Sequence, residues 1–215
     1  MTINAHLSDL DLAALLCSRV CHDVISPVGA IANGLEVLED EDDESMKKMA
    51  MVLVRKSARQ AAAKLQFCRI AFGAAGSVGA LIDLGEAGDI ARAFVGEEKV
   101  KLDWQAPRET RPKGEVKLLL NMMLLGIAAI PRGGTVTVTL DNGVLRVLAA
   151  GEGAKVPEKI AQLLAGQFDL AELDARLVQP YYTQRLGADS GFALRLAADG
   201  ETVSYEARQA AQAAA

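Results

Sequence analysis

The amino-acid sequence predicts an α+β fold, in which a helical hairpin precedes an α/β sandwich. Two long segments, about residues 12–39 and 45–72, carry apolar side chains at helical spacing. A short acidic run joins them, and a glycine-rich stretch, 73–79, follows the second. Beyond it, short alternating strands are separated by helices and hairpin turns. Strands paired mainly by hairpins, with helices on one face, are typical of a two-layer sandwich.

The first helix is predicted to start near Ser8 and Asp9, which are suitable caps, and to run to about Glu39. At about 100° per residue, its apolar side chains fall within a sector of roughly 160°. This stripe consists of Leu12, Leu16, Val20, Val24, Val28, Ile31, Leu35 and Leu38. The opposite face, within about 80°, holds Ser18, His22, Ser26, Gly29, Asn33 and Glu36.

His22 is therefore predicted to point away from the packed face. A solvated histidine on an ordinary amphipathic helix is the simplest interpretation of such a position. Pro27 lies inside the same helical pattern, where it removes the backbone hydrogen bond to the carbonyl of Asp23. We expect a bend there that exposes the His22 ring, with Asp23 able to orient the imidazole.

The acidic run of residues 39–44 is predicted to form a solvated turn rather than a metal loop, because it lacks the glycine and the ligand spacing of such loops. The second helix is basic and rich in Ala, Met and Leu. A two-helix hairpin cannot bury so broad an apolar stripe alone, so we predict a homodimer in which two hairpins form a four-helix bundle.

The remaining elements are predicted in a mixed order. They are a strand at 80–84, a helix at 85–95, a strand at 100–104, a loop at 107–113, an apolar helix at 115–130, a hairpin of 135–140 and 144–149, helices at 157–164 and 177–186, and a closing hairpin of 192–196 and 202–206. The predicted domains are residues 1–76 and 77–207, with a disordered tail at 208–215.

Composition narrows the function classes. About half of the 215 residues are apolar, which allows a sizeable core, and the net charge of −5 argues against nucleic acid as a partner. The N-terminus lacks a basic-then-apolar signal, and no uninterrupted apolar run has the length of a membrane span, so we expect a cytoplasmic location and no membrane. The odd count of three cysteines is consistent with reduced thiols.

A metal site at Cys17, Cys21 and His22 is not expected, because the spacing matches no zinc pattern. Both cysteines fall on the apolar side of the first helix. We therefore predict that they are small buried hydrophobic residues.

The segment from His22 to Val28 reads His, acidic, apolar, any residue, Ser, Pro, apolar. It resembles the phosphoacceptor box of sensor histidine kinases. The resemblance implies that His22 accepts a phosphoryl group.

The second domain resembles, in the order of its elements, the ATP-binding domain of the histidine kinase, gyrase and Hsp90 superfamily. The family's metal-binding asparagine box retains Asn121, but Leu125 replaces its second asparagine. Ala149 stands where an aspartate reads adenine, although both following glycines are present, and Asp189 lies in the shortened phosphate loop. Loss of an oxygen ligand, of a hydrogen-bond acceptor and of an uncharged loop predicts a degenerate domain that does not bind ATP.

A phosphoacceptor hairpin joined to such a domain resembles the dimeric histidine phosphotransferases of the ChpT type. The resemblance implies a relay enzyme that moves phosphate from the receiver domain of a CckA-like hybrid kinase to CtrA-like and CpdR-like response regulators, in cell-cycle control. His22 and Asp23 are the predicted catalytic residues. Arg19, Ser26 and Asn33 are candidates for contacts with the partner or the phosphoryl oxygens. No cofactor is expected on this chain, and Mg²⁺ is expected to come from the receiver.

Two alternatives stay open from the sequence. One is an ATP-dependent sensor kinase with an unusual nucleotide site. The other is a non-catalytic dimeric scaffold in which His22 is incidental.

Overall fold

The structure, a computed structural model, describes residues 7–73, 79–96 and 99–210. The N-terminal hairpin consists of α1 (Asp9–Asp40) and α2 (Glu44–Ala71). Ser8 caps α1 by accepting a hydrogen bond from the Asp11 amide at 3.1 Å. Asp43 caps α2 in the same way, with the Ser45 amide at 2.7 Å. Ser8 is confirmed as the cap of α1, whereas Asp9 is the first residue of the helix. The acidic turn is confirmed but is shorter than predicted, since it spans residues 41–43, and Asp43 serves the start of α2.

The two helices of the hairpin come into unusually close contact near its outer end. A Cβ atom at Gly34 would lie 2.6 Å from Cγ2 of Val54, which is closer than side chains tolerate. The absence of a side chain at Gly34 therefore allows α2 to pack directly against the backbone of α1. The helix continues through Pro27, whose ring is buried.

Much of the apolar stripe of α1 is not covered within one chain. Val28 and Leu35 are 49% and 46% exposed, although both belong to that stripe. On α2, Met49 and Val52 are 64% and 67% exposed. A single hairpin thus leaves large apolar side chains of both helices exposed, from the middle of α1 to the outer end, as expected for a surface that requires a partner.

The second domain is built on a five-stranded sheet with the strand order β2-β4-β5-β7-β6. Its strands are β2 (Val100–Trp104), β4 (Gly134–Asp141), β5 (Val144–Ala150), β6 (Phe192–Asp199) and β7 (Thr202–Gln209). β2 pairs with β4 in parallel, and the other pairs are antiparallel. Both predicted hairpins are confirmed, and so is the α+β class.

The helices of this domain are α3 (Leu84–Val95), α4 (Lys113–Ala129), α5 (Glu158–Leu164) and α6 (Val178–Asp189). A short two-stranded sheet of β1 (Leu81–Asp83) and β3 (Thr110–Pro112) lies beside them. The region of β3 was predicted to be a loop, and this is wrong. α4 is the central helix, with eleven of its residues buried, as its apolar sequence predicts.

Apolar contacts on two sides hold the second domain against the inner end of the hairpin. On one side Phe67 of α2 stacks on Phe94 of α3, with ring centroids 4.1 Å apart. On the other side a separate apolar cluster joins Leu12 of α1 to Leu163, Val178 and Tyr181. The sheet domain is therefore in contact with both helices of the hairpin.

Two predicted features concern the chain outside these elements. The predicted linker falls largely on residues 74–78, which lie outside the described residues. The tail was predicted to start at residue 208, but β7 continues to Gln209 because Arg208 and Gln209 pair with Ala193 and Phe192. Residues 211–215 also lie outside the described part of the chain.

Within the part of the chain that the structure describes, α1 is the one helix that is long and apolar enough to cross a membrane by length and composition. This finding was not expected, because the sequence has no uninterrupted apolar run of that length. Helices of soluble proteins and signal sequences meet the same criterion.

Candidate functional site

The His22 side chain projects from the middle of α1 into solvent. It is 82% exposed, which confirms the orientation expected from the helical pattern. Its Nδ1 atom lies 3.3 Å from Oδ1 of Asp23. This distance is at the long end of a hydrogen bond, and the contact leaves Nε2 on the far side of the ring without a protein partner among the described hydrogen bonds.

Asp23 is turned inward relative to His22. Its side chain is 17% exposed, and its second oxygen, Oδ2, accepts a hydrogen bond from Nε of Arg19 at 2.9 Å. Arg19 lies one turn earlier on the same helix, where an i,i+4 ion pair forms readily. The structure thus joins His22, Asp23 and Arg19 into one linear set of contacts.

Ser26 and Asn33 are both exposed, on the same face as His22. Ser26 lies about 6 Å further along the helix axis, at the usual rise per residue, so a group bound at His22 would be within its reach. Asn33 lies about 16 Å away and lines a separate shallow cleft with Glu36, Val37, Asp40 and Glu41. The structure does not bring Asn33 to the histidine.

An apolar groove runs between α1 and α2 on the side of His22 that faces the second domain. Its volume is about 440 Å³, and its lining residues are Ala13, Leu16, Cys17, Val20, Leu65, Cys68, Arg69, Phe72 and Gly73. The groove was not predicted from the sequence. The sequence feature that could have indicated it is the pair of small residues Ala13 and Cys17 beside the stripe residues Leu16 and Val20, because small side chains leave a depression between two helices.

The cysteines only partly follow the prediction. Cys17 and Cys21 are exposed, so their predicted burial is wrong, because α2 does not cover that part of α1. Cys68 is buried, and burial raises the pKa of its thiol to about 11, with the nearby Asp23 carboxylate adding to the rise. No group of three or more His, Cys, Asp or Glu side chains suited to a metal ion occurs among the described residues.

The remnant of the asparagine box is used for packing. The buried Asn121 amide donates to the carbonyl oxygen of Ala71 at 3.0 Å, and its Oδ1 accepts from Nε2 of Gln179 at 3.2 Å. Lys117, one turn earlier, donates to the carbonyl oxygen of Gly73 at 3.0 Å. These side chains satisfy carbonyl groups at the C-terminal end of α2, which have no partner within that helix.

The other positions that resemble nucleotide ligands are part of the core or of turns. Leu125 and Ala149 are fully buried hydrophobic residues, and neither offers a polar atom from its side chain. The loop after β5 is fixed to the end of α4 because the Lys155 amide donates to the Ala129 carbonyl oxygen at 2.9 Å. Asp189 interacts with Arg185 at 3.8 Å. The residues present do not fit a magnesium nucleotide.

Comparisons with known proteins bear on both halves of the chain. A family model described as the histidine phosphotransferase C-terminal domain matches residues 84–202. The protein phosphotransferase ChpT of Brucella abortus (strain 2308) is 46% identical over 215 residues, which covers 96% of this chain and all of that protein. A solved structure, the 1.7 Å structure of a bacterial phosphotransferase, matches with a TM-score of 0.86 and 45% identity, covering 95% of this chain and 98% of the other.

Proposed function

This chain belongs to the histidine phosphotransferase family and is a protein phosphotransferase of a phosphorelay, and from that premise we propose that His22 carries the phosphoryl group. The observation that carries the proposal is the exposed imidazole in the middle of α1, with Nδ1 facing Asp23 and Nε2 facing solvent. A neutral imidazole is nucleophilic near neutral pH. A partner domain can approach this ring without any rearrangement of the hairpin.

The proposed reaction is a transfer between two proteins. The lone pair on Nε2 of His22 attacks the phosphorus of an aspartyl phosphate on a docked receiver domain. A P–N bond forms, the P–O bond to the aspartate breaks, and the receiver's carboxylate leaves with the bonding electron pair. The reverse step delivers the group to the aspartate of the next receiver. Such transfers depend mainly on positioning and on neutralising charge.

The partners are kinases and response regulators of two-component systems. We propose in particular the receiver domain of a CckA-like hybrid kinase and CtrA-like and CpdR-like regulators, with a role in cell-cycle control. The apolar groove between α1 and α2 supports docking of a helix with apolar side chains, because its lining extends along α1 to Val20, two residues before His22. Ser26, one turn away on the exposed face, is a further proposed contact for the partner or the phosphoryl oxygens.

We propose that this chain binds no cofactor and that the receiver supplies Mg²⁺. Leu125 and Ala149 stand where a magnesium nucleotide would need polar groups, and they are packed into the core. The hairpin offers one carboxylate beside His22, and Arg19 already pairs with it. A divalent ion at the reacting phosphate would therefore depend on the partner's ligands.

We also propose that the protein acts as a homodimer in the cytoplasm. The exposed apolar side chains of α1 and α2, Val28, Leu35, Met49 and Val52 among them, support the dimer. Two such hairpins would bury these surfaces in a four-helix bundle and keep one His22 on each outer side.

The test is incubation of the protein with a phosphorylated receiver domain, followed by detection of phosphate on this chain. Phosphate that is labile in acid and stable in base is expected on His22. The His22→Ala variant is expected to show none, whereas the variant of the other histidine, His6→Ala, should be labelled like the wild type.

Two results would contradict the proposal. Incorporation of label from ATP into the purified protein alone would favour a kinase with an unusual nucleotide site. Retention of signalling by His22→Ala would favour a scaffold in which the histidine is incidental.

A further inference from the structure

We infer that Arg19 is a positioning residue, which acts through Asp23 to hold the proton of the His22 ring on Nδ1. The inference rests on the proposed function, since it concerns how His22 is prepared for transfer. It differs from the expectation that Arg19 contacts the phosphoryl group or the partner. The contacts of its guanidinium group lead to this assignment.

The two oxygens of Asp23 have separate partners. Oδ2 accepts from Nε of Arg19 at 2.9 Å, and Oδ1 faces Nδ1 of His22 at 3.3 Å. A carboxylate that could rotate freely would present either oxygen to the ring or neither. Because Arg19 holds one oxygen in place, the other is directed towards the imidazole.

Burial separates the supporting pair from the reacting group. The side chains of Arg19 and Asp23 are 28% and 17% exposed, compared with 82% for His22. An ion pair in this partly buried position is screened less by water and salt than a pair on an open surface. Arg19 is thus placed to hold Asp23, while His22 remains open to a partner.

On α2, the Cys68 thiol lies close to this pair. Asp23 and Arg19 both affect the pKa of Cys68, in opposite directions, which places the ion pair beside the inner surface of α2. The Cys68 thiol is uncharged at neutral pH, because burial raises its pKa to about 11, so it adds no competing negative charge beside Asp23. Lys64 is the second cation near that thiol.

The chemical consequence concerns which nitrogen reacts. A neutral imidazole has one N–H and one lone pair, and a carboxylate accepting at Nδ1 selects the form with the proton on Nδ1 and the lone pair on Nε2. When Nε2 bonds to phosphorus, the ring keeps the Nδ1 proton and becomes positively charged. The carboxylate of Asp23 then stabilises that charge until the phosphoryl group is transferred to the next receiver and the ring is neutral again.

The experiment measures the position of the proton directly. The full chain, labelled with ¹⁵N-histidine, contains two histidines, and the His22→Ala variant assigns the signals. Long-range ¹H–¹⁵N correlation spectra at a pH where the ring is neutral report the shares of the Nδ1–H and Nε2–H forms. We expect mainly Nδ1–H in the wild type and a clear increase of Nε2–H in Arg19→Gln.

Transfer kinetics form the second measurement. Residues that orient a reacting group through a hydrogen bond typically contribute about 10- to 100-fold to activity, and we expect Arg19→Gln to lose transfer rate within that range. The ³¹P spectrum of the phosphorylated variant should show phosphate on Nδ1 beside phosphate on Nε2. Arg19→Lys keeps a cation one turn from Asp23 and is expected to lie between wild type and Arg19→Gln in both measurements.

A matched control is available in the second domain. Arg111 and Glu115 form an i,i+4 pair at 2.9 Å with similar exposures, 28% and 12%. Arg111→Gln removes an equivalent ion pair far along the chain from His22. It should leave the His22 proton distribution and the isomer of phosphohistidine unchanged.

The outcomes separate the two proposals. If Arg19→Gln slows transfer but its His22 protons are distributed as in the wild type, Arg19 contacts the partner or the phosphoryl group and the inference is wrong. If neither measurement changes, it is also wrong. If a thermal scan shows that Arg19→Gln is not folded, the Arg19→Lys variant decides, and a wild-type proton distribution on its His22 ring contradicts the inference. If wild-type His22 is never phosphorylated, the proposed function fails, whatever the proton distribution.

Discussion

Adjacent residues on a helix point about 100° apart, and in α1 this rotation separates the side chain of His22 from that of Asp23. His22 faces solvent, and Asp23 turns towards the inner side of the hairpin. The carboxylate can therefore contact both the imidazole and Arg19 without lying in the path of an approaching partner. A single helix thus carries both the proposed nucleophile and the group proposed to orient it.

The helical pattern of the sequence predicted the exposure of His22 but not all of its neighbours. The i,i+4 spacing of Arg19 and Asp23 is visible in the sequence and indicates an ion pair, yet Arg19 was predicted to contact the partner or the phosphoryl oxygens. Burial of Cys17 and Cys21 was predicted from their side of the helix, and it failed because the path of α2 decides which apolar positions are covered. Such a path depends on tertiary contacts that no local pattern contains.

The three thiols should differ sharply in reactivity. Iodoacetamide reacts with thiolates. Cys68 is buried, and because burial raises its pKa the thiol stays protonated, whereas Cys17 and Cys21 are exposed. At pH 8, and at a protein concentration low enough to dissociate the proposed dimer, we expect rapid labelling of Cys17 and Cys21 and none of Cys68 on the same time scale, as measured by mass spectrometry of peptides. All three should be labelled in urea.

The raised pKa of Cys68 also makes the free energy of unfolding depend on pH. A folded-state pKa raised from 9.0 to about 11 means that Cys68 favours the folded state fully below pH 9, and that this contribution is lost as the pH rises through about 11. Rapid labelling of native Cys68 at pH 8 would contradict the burial described here.

Among the elements, α4 shows how a former ligand position can become structural. Asn121 is the one residue of the asparagine box that is retained, and its side chain joins the end of α2 to α6. The sequence indicated that the nucleotide site was degenerate from what was missing. It could not show the new role of Asn121, because the partners Ala71 and Gln179 are 50 and 58 residues away in the chain.

Replacing Asn121 by Ala should destabilise the fold. The change leaves the Ala71 carbonyl group without its buried partner, at a typical cost of about 1–3 kcal/mol, whereas the Gln179 amide keeps its hydrogen bonds to the Asn121 backbone oxygen and the Thr183 hydroxyl. Urea denaturation followed by circular dichroism measures the free energy of unfolding. Gln162→Ala is the matched control, because that amide lies on the surface and donates to the exposed Glu158 side chain, so we expect a change within about 0.5 kcal/mol.

Equal stabilities of the two variants would show that the Asn121 contacts contribute nothing to the fold.

The prediction of secondary structure from the sequence failed at β3. Three residues ending in proline give no periodic signal, and the strand exists because Leu81, Ile82 and Asp83 pair with it. Long periodic elements such as α1, α2 and α4 were predictable, since their patterns extend over many turns.

At the scale of the whole molecule, the hairpin has two ends of different character. Its inner end contacts the second domain through both helices, by the Phe67–Phe94 stack and by the cluster around Leu12. Its outer end carries exposed apolar side chains on α1 and α2. His22, the proposed phosphoacceptor, lies between these ends, so the proposed docking and dimer surfaces occupy different parts of the hairpin.

The proposed dimer makes a direct prediction at this outer end. Val52 is 67% exposed in the single chain, and an aspartate there would place an unpaired charge within the four-helix bundle. A penalty of about 3 kcal/mol corresponds to an increase of about 100-fold in the dissociation constant. Light scattering coupled to gel filtration should give twice the chain mass of 22.7 kDa for the wild type and a lower mass for Val52→Asp at the same micromolar concentration.

Leu148→Asp is the control, because Leu148 is a 38% exposed apolar residue of β5 in the other domain, and its variant should remain dimeric. A wild-type mass equal to one chain, or equal loss of dimer in both variants, would contradict the assignment of this surface to the bundle.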